Sequence, residues 1–156
     1  MNWEAIGAVG EILGAFAVVI SLVYLAFQIR AQNVESRVAA MHEISAGFRD
    51  SISTFADPQM AELFTRVNCG EEPLTDAEML QLVVGIQRIF RVWEEAYLQH
   101  LRCRLDADIW EAMIRQYSSY LAAPAFQRVW EMRRSYYNDA FRKFVDELPR
   151  TEYTLE

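Results

Sequence analysis

The 156-residue sequence predicts an all-α protein, an N-terminal transmembrane helix that continues into a cytoplasmic helical bundle. Three observations carry that reading. The stretch from Ala5 to Ile29 holds 19 apolar residues and three glycines among 25, with only Glu11, Ser21 and Gln28 polar. Beyond it, apolar residues return every three or four positions, the period of one helix face. Nowhere do apolar and polar residues alternate in the two-residue period of a half-buried strand. The boundaries are 1–30 for the span, 31–150 for the bundle, and 151–156 for a tail whose closing Leu155-Glu156 matches a cloning scar.

The span comes first. A bilayer core about 30 Å thick needs about 20 apolar helical residues, and Ala5 to Phe27 supplies 23. Trp3 at one end, and Tyr24 with Arg30 at the other, suit the two interfaces. A buried core helix of a soluble protein would need a large domain around it, and only about 126 residues follow. A cleaved signal peptide is disfavoured too, because no Lys or Arg precedes the apolar core and no small-x-small site follows it. Basic residues flank only the C-terminal end, Arg30 and Arg37, so the N-terminus is expected outside and the bundle in the cytoplasm.

Within the span Gly7, Gly10, Gly14, Ala17 and Ser21 follow at spacings of 3, 4, 3 and 4, forming one stripe of small residues. Small residues let helix backbones approach closely in lipid, where no hydrophobic force drives association. The stripe therefore predicts a homo-oligomer. Glu11 lies on its flank, and a carboxylate inside an apolar helix is costly unless it meets protein, water or a partner. Two placements follow. Glu11 is wet near the outer interface, or several copies meet and line a central, cation-attracting path.

The bundle elements follow in order. Val34, Val38, Met41, Phe48, Ile52 and Phe55 extend the first helix past the membrane until Asp57-Pro58, where proline opens a short helix ending at Cys69-Gly70. Thr75-Asp76-Ala77-Glu78 is a capping box with Leu74 and Met79 as its hydrophobic staple. The helix it opens is expected to reach about Leu105. One face carries Leu82, Ile86, Ile89, Trp93, Ala96, His100 and Cys103, and a second adds Val83, Phe90, Tyr97 and Leu101. So wide an apolar surface marks a central helix. Asp106 starts a helix with Ile109, Trp110, Met113, Tyr117 and Tyr120 inward. Pro124 starts another with Phe126, Val129 and Trp130, and a last one presents Phe141, Phe144, Val145 and Leu148.

A net charge of −7 argues against nucleic acid as a partner, and against adhesion of the whole domain to anionic lipid. The partners expected are the bilayer, a second copy of the chain, and an unidentified protein. No P-loop, G-x-G-x-x-G, H-E-x-x-H or G-x-S-x-G is present, and neither His42 nor His100 follows a glutamate by three, as a di-iron bundle requires. No cofactor is expected, and an interaction and assembly module is the leading reading, an ion-conducting assembly the second, and a membrane-anchored enzyme of unrecognised type only the third. His100 with Cys103, completed by Cys69 or His42, would make at most a partial zinc set; a core histidine beside a buried cysteine explains the pair as well. Arg88, Arg91 and Glu95 beside Trp93, and Arg133-Arg134 beside Tyr136-Tyr137, are candidate anion sites or surface ion pairs.

The segment Gly7-Ala8-Val9-Gly10-Glu11-Ile12-Leu13-Gly14 through Tyr24-Leu25-Ala26-Phe27-Gln28-Ile29-Arg30 resembles the N-terminus of a widespread group of small, uncharacterised bacterial membrane proteins. Pro124-Ala125-Phe126, Trp130, Arg133-Arg134 and Phe141 through Leu148 resemble that group's closing pattern. Ala31-Gln32-Asn33-Val34 departs from the Asn-Thr expected after Ile-Arg. The resemblance implies a bacterial single-span protein and brings no catalytic residue.

Overall fold

The computed structural model describes residues 3–70 and 73–151. The expected tail and its closing Leu155-Glu156 lie outside the described residues, apart from Thr151. All regular structure described is helical: α1 Trp3–Ser53, a 3₁₀ turn Thr54–Ala56, α2 Pro58–Asn68, α3 Asp76–Leu101, α4 Ala107–Ala122, α5 Pro124–Arg133, a second 3₁₀ turn Arg134–Tyr136, and α6 Asp139–Glu147. The chain divides into two compact units, residues 1–39 and 40–156. The first is the N-terminal part of α1 and the second is a packed helical domain.

Local chemistry sets most helix ends of the domain. Asp57 caps α2, its carboxylate accepting from the Gln59 and Met60 amides, with Pro58 in the first position where its missing N–H costs nothing. Gly70 ends α2 at φ +77°, a conformation glycine adopts without strain. At α3 the capping box closes in both directions, and the Leu74 and Met79 side chains pack on the core. Asn138 caps α6 by accepting from the Ala140 amide at 2.8 Å.

The C-terminus of α3 departs from expectation. The helix stops at Leu101, because Cys103 adopts a left-handed backbone at φ 55°. The Arg104 amide then donates to the Gln99 carbonyl and the Cys103 amide to the His100 carbonyl. This is the hydrogen-bond pattern of a Schellman termination, whose left-handed position usually belongs to glycine. A cysteine there gives no stop signal in the sequence. Leu101 is accordingly exposed, while Leu105 tucks into the core.

The domain packs around α3. Its Leu82, Ile86, Phe90 and Trp93 are fully buried, and its aromatic residues meet those of three other helices. Phe90 packs against Phe126 and Trp130 of α5, Trp93 stacks on Tyr117 of α4 with ring centres 4.1 Å apart, and Tyr97 stacks on Phe144 of α6. The last turns of α1 join the same core through Ile44, and Gly47 faces Val92. One long-range cap ties α2 to α5. The Asn68 side chain accepts from the Ala125 amide at 3.0 Å, meeting a donor that has no partner within α5 itself.

Candidate functional site

Three regions of the chain bear on function: the apolar surface of α1, the arginine clusters of the domain, and a groove among its helices.

The N-terminal part of α1 is long and apolar enough to cross a membrane. An 18-residue stretch in this helix reaches a mean hydropathy of 2.4, and none of it is buried. Phe16, Val18, Val19, Ile20, Leu22 and Phe27 all stand exposed. A soluble surface rarely carries so continuous an apolar patch, so this helix needs lipid or another protein around it. Its polar residues are accommodated locally. The Ser21 hydroxyl donates to the Ala17 carbonyl at 2.8 Å, and the Gln28 amide donates to the Tyr24 hydroxyl at 3.2 Å. Glu11 is exposed. A Cβ placed on Gly7, Gly10 or Gly14 would meet no atom within 4 Å, so the small-residue stripe, with Ala17 and Ser21, is open.

The structure places the arginines differently from a simple ladder along α3. Arg88 leaves its own helix to pair with Asp50 at 2.5 Å and to donate to the Thr54 hydroxyl at 2.8 Å. Arg91 pairs with Glu94 at 2.7 Å, donates to the Tyr136 carbonyl and lies over the Tyr137 ring. Glu95 accepts from Gln99 at 2.6 Å. Arg133 lies over the Tyr136 ring, and Arg134 pairs with Asp146, which also accepts from the Trp130 indole. The two clusters named from sequence thus meet where Arg91 reaches Tyr136 and Tyr137, and Glu94, which sequence reasoning passed over, is the carboxylate that accepts from Arg91. Glu94 also accepts from the Asn138 amide at 3.0 Å. Arg91 thus ties the second 3₁₀ turn to α3, and the Glu94 carboxylate ties Asn138, the cap of α6, to the same helix. Burial raises the Tyr137 hydroxyl to about 12; Arg91 pulls it down and Glu94, the smallest of the three influences, pushes it up.

His100 stacks on Trp110 with ring centres 4.2 Å apart. Cys103 is exposed and stands past the end of α3, so the two do not share a helix face, and the expected burial of the cysteine does not hold. Cys69 and His42 are exposed as well. Among the described residues no three His, Cys, Asp or Glu side chains gather as metal ligands would.

Sequence reasoning missed an apolar groove of about 360 Å³ lined by Ile52, Phe55, Phe64, Ile89, Tyr120 and Phe126, with Ala61 and Thr65 at its edge. Its walls come from α1, the first 3₁₀ turn, α2, α3, α4 and α5, so no periodicity within one segment announces it. The pair Phe55 and Phe64 meets edge to face at 5.3 Å. Burial raises the Tyr120 hydroxyl above its ordinary range, with the Gln116 amide acting in the opposite direction. Deeper in the core, the Trp93 indole nitrogen, the Tyr117 hydroxyl and the Ser118 hydroxyl are buried with no hydrogen-bond partner among the described residues.

Comparison of the chain with protein-family models, with curated proteins and with solved structures finds no match. The resemblance to small bacterial single-span proteins therefore rests on the quoted residues of the two termini alone.

Proposed function

We propose that this chain is a single-span, homo-oligomeric protein of a bacterial inner membrane whose helical domain serves as a non-enzymatic interaction and assembly module. The observation that supports it is the apolar N-terminal part of α1, where an 18-residue stretch has a mean hydropathy of 2.4 and no burial within the protein. The open faces of Gly10 and Gly14 favour self-association, because close backbone approach is what helix pairing in lipid requires. Arg30 and Arg37 after the span favour an outside N-terminus and a cytoplasmic domain.

The test begins with the full chain expressed in bacteria. Intact mass in the membrane fraction, resistant to alkaline extraction, supports an anchor; a shortened, soluble product would identify a cleaved signal sequence and end the proposal. Solution mass in detergent then reads assembly. Gly10→Leu with Gly14→Leu is expected to convert an oligomer to monomer, and an unchanged mass would remove the stripe. A reporter fused after Glu156 reads topology. In planar bilayers the protein is expected to be silent. A cation current whose selectivity changes in Glu11→Gln would replace the assembly reading with a conducting one built on Glu11.

A further inference from the structure

We infer that α1 continues its self-association beyond the membrane, as a short parallel coiled coil with a second copy of this chain through Ala31, Val34 and Val38. The inference rests on the reading of α1 as a self-associating span and adds to it a water-side interface. The helix runs unbroken from Trp3 to Ser53, so residues 30–39 are helical and leave the apolar stretch without a joint. Val34 is 61% exposed and Val38 is 50% exposed, in a segment otherwise made of Ala31, Ala39 and the polar Arg30, Gln32, Asn33, Glu35, Ser36 and Arg37. Ala31, Val34 and Val38 stand at spacings of 3 and 4, the seam positions of a coiled coil. Ala31 and Val38 also continue a seven-residue series with Gly10, Ala17 and Tyr24, so the water-side seam shares one row of the small-residue stripe, while the other row, Gly7, Gly14 and Ser21, runs on to the flanking Glu35. The seam has a natural end, because Ala40 and Ile44 are buried in the helical domain and Met41 packs on that core.

Charge identifies the occupant. With Ala31 and Val38 at one seam position and Val34 at the other, Arg30 and Glu35 fall on the two flanking positions that face each other across a parallel pair, one chain's arginine beside the next chain's glutamate five positions on. Within its own helix Arg30 has no acidic residue three or four positions away, and Glu35 has no basic one, so the usual intrahelical pairing is closed to both. A parallel second copy supplies the missing neighbour to each. Insertion of every copy in the same direction imposes that parallel orientation.

Oxidative cross-linking of the full chain in membranes tests this, in a background with Cys69→Ser and Cys103→Ser, since both native thiols are exposed. Val34→Cys and Val38→Cys are expected to form covalent dimer about five-fold more than Gln32→Cys and Asn33→Cys, which lie off the seam. Arg30→Glu and Glu35→Arg are each expected to lower the Val34→Cys yield, and the two together to restore it. Equal cross-linking at all four positions, or no restoration by the double exchange, with an oligomeric mass in detergent, overturns the coiled coil and leaves the self-associating span standing. A monomeric mass together with no cross-link removes both.

Discussion

Replacing Gly85 by alanine sets two effects of known size against each other. Alanine is favoured over glycine in a helix interior by about 1 kcal/mol, and Gly85 lies in the middle of α3. A Cβ there, however, would stand 2.6 Å from the Met60 Cε, a separation that real Cβ contacts do not show. Met60 is fully buried, so its terminal methyl cannot swing into solvent. Overpacking a core by one methyl costs about 1–3 kcal/mol. The net expectation for Gly85→Ala is a loss of about 1 kcal/mol, with a fall in melting temperature of about 4 °C. Met60→Leu shortens the opposing side chain and removes the clash. In that background Gly85→Ala is expected to reverse sign and stabilise by about 1 kcal/mol, the helix preference alone. Urea denaturation of the four proteins, the full chain in each case, gives the coupling directly. A Gly85→Ala that stabilises the native sequence, or that destabilises equally with leucine at 60, would refute the reasoning.

Three further outcomes are expected. Glu78 is held at about 2, below an ordinary 4.5, first by the Thr75 amide and then by Arg66, so its stabilisation is complete above 4.5 and is lost as pH falls toward 2. Denaturation midpoints of the native protein and Glu78→Gln, which keeps the cap geometry, should converge across that window; a constant gap would contradict the charge argument. Asn68→Ala is expected to cost about 1 kcal/mol and to speed hydrogen exchange at the Ala125 amide, while Asn68→Asp, still an acceptor at a helix N-terminus, keeps both near native values. Tyr117→Phe removes a buried hydroxyl that has no partner among the described residues, and should stabilise the domain by about 1 kcal/mol. A comparable loss measured by thermal melting would show that the hydroxyl is satisfied.

How much of this was legible in the sequence depends on how local each feature is. The apolar stretch of α1, the capping box at Thr75, the proline starts at Pro58 and Pro124, and the glycine at the end of α2 are each written within a few residues, and the helices form there. Helical spacing also named Trp93, Phe126, Trp130 and Phe141 as inward residues, and all are buried. The end of α3 was not legible, because a cysteine occupies the left-handed position and its conformation is fixed by hydrogen bonds back to His100 and Gln99. The arginines were visible as clusters, yet their partners were not. Arg88 reaches Asp50 across 38 residues, and Arg134 takes Asp146 from the next helix.

The sequence by itself therefore determined the helical class, most helix ends and the apolar length of the first helix, since propensity, capping and hydropathy act over one or two turns. Only the tertiary structure decided which charges pair, that Gly85 makes room for Met60, and that residues from six elements enclose a groove. Those are distances between segments far apart in the chain, and packing sets them. No period within a single helix carries that information.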